Sequence, residues 1–160
     1  MEMSLRLPKL LIVFISALSF VFSFMLAPIS QAEASVSWGQ EVTEVAKRYT
    51  GTPYQWGGTT PKGFDASGYT QYVFKISAAK ISLPRTAKDQ YKTGKSVQRK
   101  EVKEGDLVFF NTNNQNVSFV GIYLGKNKFI AATSKGVRIQ DLNLKYWKDR
   151  YVGAKRVLKQ

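Results

Sequence analysis

The chain contains no cysteine and no histidine. The first absence removes disulfides and thiol chemistry; the second removes the side chain that most often serves as general base near neutral pH. Neither zinc-type donor is available, and the 11 acidic residues are scattered along the sequence rather than clustered. No metal site and no cofactor are expected.

Positive charge, by contrast, is abundant. Lys and Arg total 24, for a net charge of +13 over 160 residues. The segment ahead of Ser35 holds Arg6 and Lys9 against Glu2 and Glu33, so the whole excess falls on residues 35–160. Such a balance suits a polyanion such as teichoic acid, anionic lipid headgroups or nucleic acid. A basic surface without a specific partner is the other reading. Aromatic and basic residues interleave at Tyr146-Trp147-Lys148 and Arg150-Tyr151, but nucleic-acid recognition would rest on charge alone, and specific nucleic-acid binding is not expected.

Leu10 to Leu26 is an unbroken run of apolar residues and serines that follows Arg6 and Lys9 and precedes Pro28 and Ala32-Glu33-Ala34. This is the order of a secretory signal peptide with its cleavage site; an uncleaved anchor is the alternative, since the run is near the lower length limit for a span. Residues 1–34 are therefore expected to be a signal peptide, and residues 35–160 a single secreted or wall-associated domain.

Within that domain Val42, Val45, Ala46 and Tyr49 share one helical face, which predicts a helix over Trp38–Tyr49. A second helix is predicted from Ser67 to about Ile76, with Ser67 as its cap and Tyr69, Tyr72, Val73 and Ile76 facing inward. A short helix follows around Ala87–Tyr91. Strands are predicted at Leu107–Phe110, Val120–Leu124, Phe129–Ala132, Val137–Ile139 and Tyr151–Val157, with one helical turn at Lys145–Arg150. Helices first and strands afterwards predict an α+β domain, its N-terminal helices packed on an antiparallel sheet.

Tyr54 to Tyr69 is the stretch around which the domain is organised. Gly57, Gly58, Pro61 and Gly63 make a tight, irregular turn, and Asp65-Ala66-Ser67-Gly68 enters the second helix. A helix N-terminus offers free N–H groups and a positive dipole end, the place for a thiolate or an oxyanion. The residue there is Ala66.

Thr52-Pro53-Tyr54-Gln55-Trp56-Gly57-Gly58, Gly63-Phe64-Asp65-Ala66-Ser67-Gly68, Leu83-Pro84-Arg85-Thr86, Gly105 to Phe110, Val120-Gly121-Ile122-Tyr123 and Tyr151-Val152-Gly153-Ala154 resemble, in order and spacing, the blocks of the NlpC-type cell-wall peptidases. The resemblance runs through nearly all of residues 42–157. It implies a papain-like fold and kinship with secreted endopeptidases that cut peptidoglycan stem peptides, typically after γ-D-glutamate.

The departures fall on the chemistry. Where the family has its nucleophilic cysteine this chain has Ala66; where it has the base histidine, Phe119; where it has the third polar residue, Ala131. Groups that act as a unit lose most of their rate enhancement when the nucleophile alone is removed, so a catalytically inactive homologue is expected. Three changes, one of them bulky, do not look like an engineered knockout. Phe119 is expected to fill the space beside Ala66 and Ala131, because packed interiors exclude voids.

The resemblance also implies surviving binding residues. Tyr54 matches the tyrosine beside the family's nucleophile, and Asp65 and Ser67 match residues that hold the free amino end of the stem peptide in several relatives. Asp65 as a helix cap, with Ser67 packing locally, is the alternative. Arg85 is read as pairing with a carboxylate, of a ligand or of the protein itself. Tyr54 and Trp56 are otherwise core aromatics.

Ser77-Ala78-Ala79-Lys80 and Lys92-Thr93-Gly94 match two signatures of penicillin-recognising serine enzymes, but no S-D-N lies between them and the domain is too short for that fold. Three functions stay open from the residues: a wall protein that binds stem peptides and shields or regulates the cell wall or spore envelope; a structural or regulatory module that binds a protein partner in the remodelled cleft; and a residual hydrolase using Ser67 or Ser118 with a lysine base.

Overall fold

A computed structural model describes residues 37–159; the expected signal peptide lies outside the described residues. Helix α1 spans Trp38–Lys47. It starts at a capping box in which Ser37 Oγ accepts from the Gln40 N–H at 3.2 Å and Gln40 Oε1 accepts from the Ser37 N–H at 3.1 Å. Its inner face buries Val42, Val45 and Ala46, as the spacing predicts. The helix stops two residues earlier than expected, and Tyr49 leaves it to pack edge-on against Phe64 and Tyr72.

The glycine-rich loop contains a small hairpin that the hydrophobic pattern did not reveal, β1 (Thr59–Thr60) pairing with β2 (Gly63–Phe64). Helix α2 then runs from Ala66 to Ile76. Its cap is Asp65, not Ser67: the extended Asp65 backbone lets its carboxylate accept from the Gly68 N–H at 2.7 Å, which satisfies an otherwise orphaned donor of the first turn. Tyr69, Val73 and Phe74 are fully buried, and the Tyr69 hydroxyl donates to the Ala46 carbonyl at 2.8 Å, tying α2 to α1. Ile76, expected inside, is 38% exposed, and Phe74 takes the inward place instead. Helix α3 is Ala87–Gln90.

Six strands follow: β3 (Lys95–Val97), β4 (Leu107–Phe110), β5 (Phe119–Gly125), β6 (Lys128–Thr133), β7 (Gly136–Asp141) and β8 (Tyr151–Arg156), with helix α4 (Lys145–Arg150) between the last two. They form one antiparallel sheet in the order β3-β8-β4-β5-β6-β7. Side chains alternate across it. Leu107, Phe109, Val120, Ile122, Ile130 and Ala132 meet α1 and α2 on one face, whereas Val108, Phe110, Phe129, Ala131 and Ala154 join Leu142 and Trp147 on the other. Burying each large apolar side chain contributes about 1.5–3 kcal/mol, so the helix-facing cluster fixes where the head of α2 sits against β5 and β6. A buried Asp106 carboxylate, held by Arg156 Nε at 2.8 Å and Nη2 at 2.7 Å, fastens the start of β4 to the end of β8. The architecture is the expected α+β one, with both α1 and α2 on one side of an antiparallel sheet.

Candidate functional site

The glycine loop lies directly on the head of α2. The Asp65 N–H donates to the Gly58 carbonyl at 3.0 Å, and a Cβ built on Gly68 would fall 2.1 Å from that same oxygen. Only glycine at position 68 allows this approach. The contact leaves the first residue of α2, Ala66, facing a cleft whose volume is about 1280 Å³.

Asp65 and Arg85 close one end of the cleft. Asp65 Oδ1 accepts from the Gly68 N–H, from Ser67 Oγ at 3.2 Å and from Arg85 Nη1 at 3.1 Å; Oδ2 accepts from the Gly57 N–H at 3.1 Å and from Arg85 Nη2. Arg85 Nη1 also donates to Ser67 Oγ at 3.0 Å. Burial pushes the Asp65 carboxyl up, but the Arg85 guanidinium, the Gly68 N–H and the Ser67 hydroxyl together outweigh it and hold the group below the usual carboxylate range. Arg85 therefore pairs with a carboxylate of the protein, and Asp65 caps its helix at the same time. The Tyr54 phenol, raised by burial and by the Asp65 charge, stays neutral and able to donate.

Beneath this end a buried side chain sets the geometry. Gln90 Nε2 donates to the Ser67 carbonyl at 3.0 Å and the Pro84 carbonyl at 2.8 Å, and its Oε1 accepts from Thr70 Oγ1 at 2.8 Å. All its polar atoms are satisfied, as burial requires, and α2, the Leu83–Thr86 segment and α3 are held together. Nothing in the sequence marks this glutamine.

Of the three altered positions, the structure brings two to the cleft. Ala66 and Phe119 both line it, whereas Ala131 is fully buried in the apolar cluster against which Phe119 packs. Phe119, expected to fill the space beside Ala66 and Ala131, packs against the cluster that holds Ala131 but does not close the cleft. Its ring lies on Trp147, centroids 5.1 Å apart and planes inclined by 32°, and meets Phe110 edge-on at 6.1 Å. Aromatic pairing draws the ring into the wall, where it gains contact on two sides, and the cavity stays open. Trp147 in turn donates from Nε1 to Gln140 Oε1 at 3.0 Å. In the sequence Trp147 belongs to a basic and aromatic stretch; its place beneath Phe119 depends on α4 packing on the outer face of the sheet.

Tyr54 and Trp56 are not core aromatics. Tyr54 is 38% and Trp56 87% exposed, and both stand at the cleft. The opposite wall carries Thr133, Ser134, Lys135 and Arg138 of the β6–β7 hairpin together with Leu144 and Tyr146. None of these hairpin residues was singled out from the sequence.

The side chains of Ala66 and Phe119 themselves carry no nucleophilic and no proton-accepting group. Ser67 Oγ donates to Asp65 and accepts from Arg85, and Ser118 Oγ bonds to Thr112 at 2.9 Å with the Thr112 N–H at 2.8 Å. Neither hydroxyl has a lysine partner. Among the described residues no three His, Cys, Asp or Glu side chains lie together in a way that could hold a metal ion.

Comparison with known proteins agrees with this architecture. Residues 51–156 match the model of the NlpC/P60 family. Over 112 residues, 69% of this chain, the sequence is 49% identical to the probable peptidoglycan endopeptidase LytE of Bacillus subtilis, of which the match covers 32%. An NlpC/P60 family protein from Bacillus cereus superposes with a TM-score of 0.71 at 31% identity, over 76% of this chain and 40% of that one. RipD of Mycobacterium tuberculosis, described as a non-catalytic NlpC/p60 domain protein adapted to peptidoglycan binding, superposes with a TM-score of 0.65 at 25% identity, over 76% of this chain and 98% of its own. The chain spans about a third to a half of the length of the curated relatives it matches first. With the family match covering more than half of the sequence and a relative of known structure superposing at a TM-score of 0.71, the chain belongs to the NlpC/P60 family.

Proposed function

We propose that this protein is a catalytically inactive member of the family that holds peptidoglycan stem peptides in the cleft at the head of α2. The observation that carries the reading is the open cavity itself: Tyr54, Asp65, Ser67 and Arg85 line it together with Ala66 and Phe119, the positions that the family resemblance equates with nucleophile and base. A cleft without nucleophile or base binds without turnover. RipD, similar in fold and described as non-catalytic and adapted to peptidoglycan binding, lends support, as does the endopeptidase name of the Bacillus subtilis relative.

Cleavage near Ala34 would release residues 35–160 outside the cytoplasm, where the net charge of +13 favours retention beside anionic wall polymers such as teichoic acid. Bound there, the protein shields stem peptides from active relatives.

The test is calorimetric titration of the protein with the tripeptide L-Ala-γ-D-Glu-diaminopimelate, beside a Tyr54→Ala variant. Asp65→Ala is a poorer control, because Asp65 also caps α2 and anchors Arg85. Micromolar binding that is weakened by Tyr54→Ala, with no peptide cleaved on long incubation, supports the reading. Absence of binding at millimolar peptide overturns it and turns the search to a protein partner for the remodelled cleft; cleavage overturns the inactive assignment.

A further inference from the structure

The charges along the cleft are one-sided. Five of its lining residues are ionic: Asp65, Arg85, Lys88, Lys135 and Arg138. Asp65 and Arg85 neutralise each other through two hydrogen bonds. The remaining three are cations, and among the described residues none of their side chains takes part in an ion pair or a hydrogen bond.

They come from three places. Lys88 is on α3, Lys135 is in the turn between β6 and β7, and Arg138 is on β7, directly across the strand pair from Ala131. Lys47, Lys92, Lys128 and Lys145 each have a carboxylate at 2.6–2.7 Å, whereas Lys62, Lys75, Lys80 and Lys126 have none among the described residues; what sets Lys88, Lys135 and Arg138 apart is that they line one cleft. The positive end of the α2 dipole adds to the same field. Free cations facing a concave wall concentrate field lines there and favour an anionic guest. The aromatic surface of Tyr54, Trp56 and Tyr146 beside them is suited to a chain with apolar stretches between its charges.

We propose that Lys88, Lys135 and Arg138 are carboxylate-binding arms, and that the cleft takes its peptide in the free-acid form and rejects the same peptide when its carboxylates are amidated. The inference rests on the stem-peptide reading above and names what that site selects. An amide keeps the shape of the carboxylate but loses its charge and adds two donors that point at cations, so the cleft rejects it through a repulsive element as well as a lost attraction.

The experiment titrates the protein with L-Ala-γ-D-Glu-diaminopimelate and with the same tripeptide carrying carboxamides at the free carboxyl groups of glutamate and diaminopimelate. It is repeated on Lys88→Gln, Lys135→Gln and Arg138→Gln and on the triple variant. A γ-linked glutamate pentamer, rich in carboxylates but without the diamino acid, serves as a second probe. We expect the free acid to bind at least tenfold more tightly than the amide, each single variant to weaken it about threefold, and the triple variant to bring acid and amide to equal affinity. The preference should shrink as salt rises. Equal affinity of acid and amide for the unaltered protein overturns the inference and leaves the stem-peptide reading standing. If neither tripeptide binds but the pentamer does, and the triple variant abolishes it, the arms stand and the stem-peptide reading falls. Failure of all three ligands overturns both.

Discussion

Arg85 closes on Asp65 with both terminal nitrogens and so fastens the Leu83–Thr86 segment to the first turn of the core helix. The pair sits at the cleft's end but half of its meaning is mechanical. Removing Arg85 leaves a largely buried carboxylate with its cap bonds and no counter-ion. Arg85→Ala should lower stability by about 2 kcal/mol, a hydrogen-bonded charge discounted for the solvent that reaches the arginine. Urea unfolding with an unchanged slope and a lower midpoint is the expected record.

The same carboxylate makes stability depend on pH. Its folded pKa lies below the ordinary value, so the folded state favours the ionised form. The stabilisation is complete above the unfolded pKa, about 3.9 for aspartate, and is lost as pH falls through the folded value. Asp65→Asn keeps a capping side chain but cannot ionise. Its stability should therefore fall less than that of the unaltered protein between pH 5 and the acid transition, as followed by thermal melts at fixed ionic strength.

How much of this was legible in the sequence depended on what kind of signal each part leaves. The core strands were readable because four consecutive apolar residues at Leu107–Phe110 and the Val120-to-Leu124 run leave no other low-energy place to go. Ala66 lies inside the block Gly63 to Gly68 and Phe119 stands directly before Val120 to Tyr123, so the family resemblance points to both, whereas Ala131 falls in no such block. The fate of the Phe119 side chain was not readable, since it depends on Trp147, some thirty residues away in sequence and brought over by α4. Exposure of Trp56 was equally invisible: a tryptophan in this position reads as a core aromatic until the loop is seen folded over α2. The cations of the β6–β7 hairpin carry no local pattern at all, and only the antiparallel register sets Arg138 opposite Ala131.

Because Ala66 and Phe119 line one cleft, a nucleophile and a base placed at these two positions should bring peptide cleavage. Ala66→Cys alone supplies a nucleophile at a helix N-terminus but no group to take its proton, and should give no measurable cleavage of stem peptides. Ala66→Cys with Phe119→His supplies both. The double variant should cleave at least a hundredfold faster than the single one, the scale on which a positioned general base acts. Chromatography of the products after incubation with purified muropeptides measures this. Equal inactivity of both variants would mean that the cleft does not align the two positions for cleavage.

Trp56 offers a direct optical report of occupancy. At 87% exposure it is the tryptophan most open to water at the cleft, whereas Trp147 is only 6% exposed and already shielded by Phe119, and Trp38 lies outside the cleft lining. A peptide seated between Tyr54 and the β6–β7 hairpin must remove water from the Trp56 indole, so its emission should move to shorter wavelength on titration. In Trp56→Phe that shift should vanish while the fold is unchanged, since an exposed ring contributes little to the core. Affinity should fall at the same time, because an amphipathic ring at the mouth of a cleft is a common anchor for peptide binding. A shift that persists in Trp56→Phe would place the ligand elsewhere on the domain, with Trp38 as its reporter.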